Sequence, residues 1–139
     1  MSGFLIDTNV ISELRKRDRM DTQVLQWFGR NTDSELWLSV LVVAELRRGV
    51  ELLRRRDEVA AALLATWLES VVLDYGDRIL PVTAEIAQRW GRLSVPDPLP
   101  WIDGMLAATA LQHGLTLATR NVDDVRRTGV ALANPFAPD

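Results

Sequence analysis

The chain has 139 residues, 47% hydrophobic and 25% charged, a composition typical of a soluble globular protein with one domain spanning residues 1–139. It has no cysteine, which excludes disulfides, thiol catalysis and thiolate-bound zinc. The formal net charge is −3, and Lys16 is the only lysine among the sixteen basic residues, so arginine, whose planar fork binds phosphate well, dominates the positive charge. Codon bias in a GC-rich genome explains the arginine excess equally well.

The N-terminal half alternates short apolar runs with amphipathic stretches. Val42, Leu46 and Val50 repeat at nearly 3.6 residues, which predicts a helix that follows directly on a strand. The predicted elements are strand Phe4–Ile6, helix Val10–Arg19, helix Asp21–Arg30, strand Leu36–Ser39, a helix from there through Leu53, and helix Glu58–Asp74.

The C-terminal half continues this alternation. Thr83 is expected to cap one helix, Gly114 to end another, and Pro81 to mark an edge strand or a strand end. The predicted elements are strand Ile79–Val82, a helix from Thr83 to about Leu93, loop Ser94–Pro100, helix Trp101–His113, strand Leu115–Thr119, helix Val122–Arg127 and strand Val130–Ala133. Strands that alternate with helices predict an α/β fold whose parallel sheet is covered on both faces.

The hydropathy pattern and the first residues bear on location. No apolar run approaches the roughly 18–20 residues that cross a bilayer. The start, Met1-Ser2-Gly3, has no basic region followed by an apolar stretch, so no secretory signal is expected. We therefore expect a cytoplasmic protein that makes no contact with membranes.

Four acidic residues lie at the ends of predicted elements or on a core-facing helix: Asp7, Glu45, Asp103 and Asp124. The carboxyl ends of parallel strands line the ligand crevice of such a sheet, which favours a shared site for these acids. Each acid also has a simpler explanation. Asp7 can cap a helix, Glu45 can pair with Arg48 or stay at the surface, and the other two suit the first turns of their helices.

A nest of carboxylates is expected to bind divalent metal, because like charges within about 4–6 Å repel one another unless a cation neutralises them. Oxygen ligands without cysteine or a histidine pair favour Mg²⁺ or Mn²⁺ over Zn²⁺. The single histidine, His113, is expected to end its helix rather than bind metal. Two such ions about 4 Å apart can activate water and stabilise the leaving oxygen of a phosphodiester.

The motif residues resemble the PIN-domain ribonuclease toxins, in particular those of the VapC/FitB type. The matching stretches cover most of the chain in order: Leu5 to Leu14, Ala44 to Gly49, Trp90-Gly91, Asp103 with Ala107 to Ala110, Thr119-Arg120-Asn121 with Asp124, and Asn134-Pro135-Phe136. Each stretch is weak support alone, whereas the ordered set is specific.

The resemblance implies a PIN-like α/β/α sandwich with a central, mostly parallel sheet. It implies a metal-dependent endoribonuclease that is the toxin of a type II toxin–antitoxin pair. Such toxins typically form homodimers and higher assemblies with a small antitoxin, whose C-terminal segment wraps the toxin and blocks its site. The antitoxin's other end usually binds operator DNA, so an antitoxin, an RNA substrate and a second copy of the chain are the expected partners.

The resemblance also implies roles for individual residues. The catalytic metal ligands would be Asp7, Glu45, Asp103 and Asp124. The supporting polar residues near the ions would be Asn9, Thr119 and Asn121. The arginines suggested for substrate contacts are Arg15, Arg47, Arg48 and Arg120, each of which can equally be part of a solvated face.

Two departures from the family pattern stand out. The stretch from Leu93 to Pro100 is shorter than expected before the third acid, which bears on the rim of the site and on substrate choice. The last motif reads Asp123-Asp124-Val125, where an aromatic residue commonly follows the acid. The spacing from Thr119 favours Asp124 over Asp123 as the site residue.

The lysine content disfavours two other α/β classes that place an aspartate after the first strand. A haloacid-dehalogenase-like phosphatase or a phosphoreceiver domain needs a late lysine, and Lys16 comes too early to serve. A catalytically silent PIN-fold binding or repressor partner, and a nuclease that acts on DNA, both stay open.

Several aromatic residues raise the prospect of a docking groove: Trp27, Phe28, Trp37 and Trp67. Most are expected to pack in the core. One or two are expected to line a groove for an amphipathic antitoxin helix.

Overall fold

A five-stranded parallel sheet lies at the centre of the chain in the computed structural model, which describes residues 2–138. The strands are β1 Phe4–Ile6, β2 Leu36–Ser39, β3 Ile79–Leu80, β4 Thr116–Ala118 and β5 Leu132–Ala133. Their order across the sheet is β3-β2-β1-β4-β5, and every neighbouring pair is parallel. The predicted α/β architecture with a mostly parallel sheet is therefore confirmed.

Helices connect the strands. They are α1 Thr8–Ile11, α2 Thr22–Arg30, α3 Val40–Arg54, α4 Glu58–Tyr75, α5 Ala84–Leu93, α6 Trp101–His113 and α7 Val122–Val125. Short 3₁₀ segments follow α1, α4 and α7, at Ser12–Arg19, Gly76–Arg78 and Arg126–Thr128. Thr83 caps α5 and Gly114 ends α6 in the left-handed conformation, as the sequence predicts.

The strand order creates a crevice at the centre of the sheet. The chain moves from β1 outward through β2 to β3, and then returns to the other side of β1 with β4 and β5. The reversal leaves the carboxyl ends of β1 and β4 next to each other, with Ile6 in register with Ala118. Such a switch point is where open α/β sheets bind their ligands.

The predicted helix Val10–Arg19 is wrong in both its start and its type. Asp7 caps the first turn, so α1 begins at Thr8, and the chain tightens into the 3₁₀ segment after Ile11. Arg17 breaks helical geometry with φ 53° and ψ −116°. The physical reason is Glu13, a buried residue whose carboxylate accepts hydrogen bonds from Lys16 Nζ at 2.5 Å and from the backbone N–H of Asp21 at 2.9 Å.

Other boundaries shift by a few residues. The strand predicted to run to Val82 ends at Leu80, because Pro81 has no N–H to donate, and β3 is indeed an edge strand. The strand predicted to begin at Leu115 begins at Thr116, and the last strand is confined to Leu132–Ala133.

Helix α4 corrects the expectation that no segment suits a bilayer. By length and composition alone, the segment Glu58–Arg78 contains an 18-residue window that is apolar enough to cross a bilayer, with a mean hydropathy of 1.3. The helix packs along α3 and forms a hairpin with it. Only 17% of its apolar window is buried, and Val59, Leu63 and Leu73 are 75%, 70% and 80% exposed. Helix α4 therefore has an uncovered apolar face.

Aromatic side chains divide between core and surface. Trp27 is buried against Phe4 and Phe28, whose rings contact its ring edge to face. Trp37 and Trp67 pack at the border of the core, and Trp67 also lines a surface groove beside α4. The expectation that most aromatics pack in the core while one lines a groove is confirmed.

Candidate active site

Asp7 lies at the switch point and is 4% exposed. Its Oδ1 accepts a hydrogen bond from the backbone N–H of Thr8 at 2.7 Å. Asp7 therefore does cap helix α1, as its simpler explanation requires. Its Oδ2 accepts a second bond from Thr119 Oγ1 at 2.6 Å. Burial raises the pKa of Asp7, the bonds from Thr119 and Thr8 partly offset this, and the charge of Glu45 raises it further.

The residues after β4 support Asp7. Thr119 is buried, and its hydroxyl both donates to Asp7 and accepts the backbone N–H of Asn121 at 3.0 Å. The amide of Asn9 donates to Asp7 Oδ2 at 3.4 Å while its Oδ1 accepts the N–H of Arg120 at 3.3 Å. The structure thus brings Asn9 and Thr119 to Asp7, where the sequence places them.

Asp103 lies in the first turn of α6. Asn121 Nδ2 donates to its Oδ2 at 3.5 Å. Burial, followed by the negative charges of Asp7 and Asp124, raises the pKa of Asp103 to about 6. Gly104 lets α6 approach its neighbours closely, because a Cβ there would lie 2.9 Å from Leu99 Cβ.

Glu45 reaches the same site from α3. Its Oε1 accepts a hydrogen bond from Thr8 Oγ1 at 2.5 Å. The alternative ion pair with Arg48 is not among the contacts of the described residues. The negative charge of Glu45 raises the pKa values of Asp7 and Asp103, so Glu45 belongs to their cluster.

The two adjacent aspartates, Asp123 and Asp124, lie in different environments. Asp123 is almost fully exposed and pairs with Arg126 at 3.1 Å on its own helical turn. Asp124 is also exposed, but its charge contributes to the raised pKa of Asp103. Asp124 therefore lies beside the cluster, as the spacing from Thr119 predicts.

The carboxylates form acid–donor pairs and do not converge on one point. Among residues 2–138, no three acidic or histidine side chains are grouped closely enough to hold a metal ion as they stand. Each of three acids instead has its own donor, since Thr119 holds Asp7, Thr8 holds Glu45 and Asn121 holds Asp103. The available ligands are carboxylate oxygen atoms that repel one another, and hard oxygen ligands of this kind fit a divalent cation such as Mg²⁺ or Mn²⁺.

The predicted arginines divide between the site and the periphery. Arg15 is exposed and lines a small cavity that also contains Thr8 and Glu45. Arg120 follows Thr119 and lies over the ring of Phe136. Arg47 pairs with Glu51 at 3.4 Å and lines a groove between α3 and α4, and Arg48 is exposed on α3.

Sequence reasoning missed three residues of the site. The hydroxyl of Thr8 holds Glu45, Glu13 is buried below the site rim, and Phe136 supports Arg120. Thr8 follows Asp7 at a helix start, which is a usable signal. The other two contacts depend on elements far apart in the chain, and no local pattern indicates them.

The rim between α5 and α6 is the short stretch from Leu93 to Pro100. The guanidinium of Arg127 donates to the carbonyl oxygens of Leu93 and Asp97 and ties this stretch to the turn after α7. Its effect on substrate choice stays a prediction.

Known proteins resemble this chain along almost its whole length. A family model described as PIN domain matches residues 4–130. Toxin FitB of Neisseria gonorrhoeae is 35% identical over 138 residues, covering 95% of this chain and 97% of FitB. VapC ribonuclease Y4jK of Sinorhizobium fredii is 33% identical over 143 residues, covering 96% and 98%.

Solved structures also resemble this chain along almost its whole length. The crystal structure of FitAcB from Neisseria gonorrhoeae matches with a TM-score of 0.86 and 34% identity, covering 97% of this chain and 99% of that one. FitAB bound to the IR36 DNA fragment matches with a TM-score of 0.84 and 32% identity, covering 98% and 97%.

The raised pKa of Asp103 predicts how stability changes with pH. The ordinary value is 3.8 and the folded value about 6, so between these pH values the folded protein keeps a proton that the unfolded chain has lost. Raising the pH from about 4 to about 7 in EDTA should therefore lower the free energy of unfolding, by up to about 3 kcal/mol more in the parent than in Asp103→Asn.

Urea unfolding at several pH values measures this difference. Asp123→Asn is the matched control, because Asp123 is almost fully exposed, and it should keep the pH dependence of the parent. Equal pH dependence in the parent and Asp103→Asn would contradict the assignment of Asp103 to a crowded acidic cluster.

Proposed function

The chain belongs to the PIN domain family, and from this premise we propose that it is a metal-dependent endoribonuclease, the toxin of a type II toxin–antitoxin pair. The likeness to the VapC/FitB type seen in the sequence is confirmed. The observation that carries the proposal is the geometry at the switch point of the sheet, where Thr8 and Thr119 hold Asp7, Thr8 also holds Glu45, and Asn121 holds Asp103.

In the proposed reaction, water is added across a phosphodiester of single-stranded or looped RNA, leaving a 5′-phosphate and a 3′-hydroxyl. Mg²⁺ or Mn²⁺ held by Asp7, Glu45, Asp103 and Asp124 would supply charge neutralisation and water activation. Thr119 and the N–H of Thr8 fix the carboxylate of Asp7, and the hydroxyl of Thr8 orients Glu45. Asn121 orients the carboxylate of Asp103 in the same way. Asn9 holds the chain just after β4, because its Oδ1 accepts the backbone N–H of Arg120.

His113 is not needed as a base in this reaction. It ends α6, while Asp103 occupies the first turn of the same helix. Ten residues of helix separate the two by about 15 Å. The carboxylate cluster therefore carries the proposed chemistry without a histidine.

Asp7→Asn is expected to abolish RNA cleavage while leaving the fold intact, because the amide oxygen can still accept from the N–H of Thr8 and the amide nitrogen can donate to the hydroxyl of Thr119, but the charge is lost. The expected loss in rate is at least about 100-fold. The measurement is cleavage of a labelled RNA, and of a DNA of the same sequence, with Mn²⁺ or with EDTA.

Asp123→Asn is the matched control and should cleave at the parent rate. If Asp7→Asn cut RNA as fast as the parent, the site assignment would be wrong. A parent protein that binds RNA without cutting it would favour the silent binding partner, and one that cuts only DNA would favour the alternative substrate.

Two grooves beside α4 suit the proposed protein partners. The basic groove, of about 620 Å³, is lined by Arg15, Arg17, Arg19, Leu53, Leu63 and Trp67, among others, and no acidic residue is among its described lining residues. It continues past Arg15 and Trp67 into the cavity of about 170 Å³ that contains Glu45. This combination of cationic rim and apolar floor fits an amphipathic acidic segment of a cognate antitoxin.

The apolar groove lies between α3 and α4. It has about 700 Å³ and is lined by Val40, Val43, Leu68, Val72 and Leu73 together with Arg47 and Glu69. Its nonpolar character supports a homodimer contact. We further propose that the protein is cytoplasmic, that it does not contact membranes, and that it reaches operator DNA only through the antitoxin, in line with the DNA-bound FitAB structure.

Paired substitutions on α4 separate the two grooves. Leu63→Glu should weaken antitoxin binding at least about tenfold, because it places a charge on the floor of the basic groove, and should leave self-association unchanged. Leu73→Glu should have the reverse effect. Both side chains are largely exposed, so both variants should fold.

The measurement is size exclusion with light scattering, on the protein alone and with the product of the neighbouring reading frame. If both variants bind the antitoxin and self-associate like the parent, the assignment of partners to these grooves is wrong.

A further inference from the structure

The guanidinium of Arg120 lies over an aromatic ring beside the candidate active site. Its Cζ lies 3.6 Å from the centre of the Phe136 ring. Arg120 is exposed, and within residues 2–138 its guanidinium has no ion pair and no hydrogen bond. A ring contact with the face of a guanidinium leaves its five in-plane N–H groups free, which is the arrangement that binds a phosphate as a fork.

The carboxylate of Glu13 forms no ion pair and no hydrogen bond with this guanidinium within residues 2–138. Glu13 is buried and accepts from Lys16 at one oxygen and from the backbone of Asp21 at the other. Arg120 is close enough for its charge to act on Glu13. The pair therefore interacts through space, and the N–H groups of Arg120 stay available.

The backbone of Arg120 is fixed relative to the acids. Its N–H donates to Asn9 Oδ1, and the other end of that amide contacts Asp7. The flanking residues Thr119 and Asn121 hydrogen-bond to Asp7 and Asp103. Arg120 is therefore adjacent in sequence to Thr119 and Asn121, the two residues that hold Asp7 and Asp103.

Phe136 is in turn held by a local turn after β5. Its backbone N–H donates to Asn134 Oδ1 at 3.0 Å, and the N–H of Ala137 donates to the carbonyl of Asn134 at 3.1 Å. Pro135 is buried between them. The turn therefore fixes the backbone of Phe136, and its side chain packs against the core.

We propose that Phe136 is a positioning residue, which holds the guanidinium of Arg120 so that it binds a phosphate of the RNA strand next to the phosphodiester that is cut. The inference rests on the proposed ribonuclease function. It assigns the Asn134-Pro135-Phe136 turn a role in substrate binding, although it lies outside the acidic cluster.

Steady-state cleavage of a labelled RNA with Mn²⁺ tests this role. Phe136→Leu keeps an apolar side chain but removes the ring, and should raise KM about three- to fivefold while kcat stays within about twofold of the parent. Phe136→Tyr should restore the parent KM. Arg120→Ala should raise KM at least as much, and should lower the salt slope of RNA binding by about one phosphate.

The double variant Phe136→Leu/Arg120→Ala should have the KM of Arg120→Ala, because the ring has no role once the guanidinium is absent. The control is the second arginine–aromatic pair of the chain, in which Arg78 lies 4.8 Å from the ring of Tyr75. Tyr75→Leu removes that ring far from the acids and should leave KM unchanged.

An unchanged KM in Phe136→Leu, or effects of Phe136→Leu and Arg120→Ala that multiply independently, would overturn the positioning role. A rise in KM that Phe136→Tyr does not reverse would also overturn it. These outcomes leave the nuclease itself intact. A parent protein that does not cut RNA would instead remove the proposed function, and this inference with it.

Discussion

The buried hydrogen bond between Asp7 and Thr119 is the contact on which the rest of the site depends. It joins residues 112 positions apart, at the adjoining ends of β1 and β4, with a separation of 2.6 Å. A carboxylate that is 4% exposed is costly to leave without donors, and Thr119 together with the first turn of α1 supplies them. The same contact fixes the positions of the neighbouring residues Asn9, Arg120 and Asn121.

Around that contact, each of the other acids is hydrogen-bonded to its own donor and not to a shared one. Thr8 holds Glu45 and Asn121 holds Asp103, while burial and, after it, the charges of the neighbouring acids raise the pKa of Asp103 to about 6. A cation held by Asp7, Glu45, Asp103 and Asp124 would relieve the mutual repulsion of their carboxylates. Within residues 2–138 the acids interact electrostatically but are not grouped closely enough to hold such an ion as they stand.

Most of the fold follows from local patterns in the sequence. The alternation of strands and helices, the caps at Thr83 and Gly114 and the edge position of β3 are all predictable, because each depends on residues within a few positions. The segment from Val10 to Arg19 is not, because the hydrogen bond that the backbone N–H of Asp21 donates to the Glu13 carboxylate overrides its helical pattern.

The candidate site also divides into features that the sequence predicts and features that depend on long-range contacts. The resemblance names Asp7, Glu45, Asp103 and Asp124, and in the structure the charges of the other three act on Asp103 while Asp123 pairs with Arg126 instead. Their role as metal ligands stays a prediction. The donor to each acid, the apolar exposure of α4 and the contact of Arg120 with Phe136 depend on which elements are neighbours in space. Such contacts follow from the strand order, which periodicity alone does not determine.

The central claim is that Asp103 shares one cation site with the other three acids. The most direct measurement is a set of melting curves for the parent, Asp103→Asn and Asp123→Asn, recorded in EDTA and at increasing Mn²⁺. Binding to the folded state should raise the Tm of the parent and of Asp123→Asn, and should raise that of Asp103→Asn far less. An equal rise in Tm for the parent and Asp103→Asn would contradict the claim.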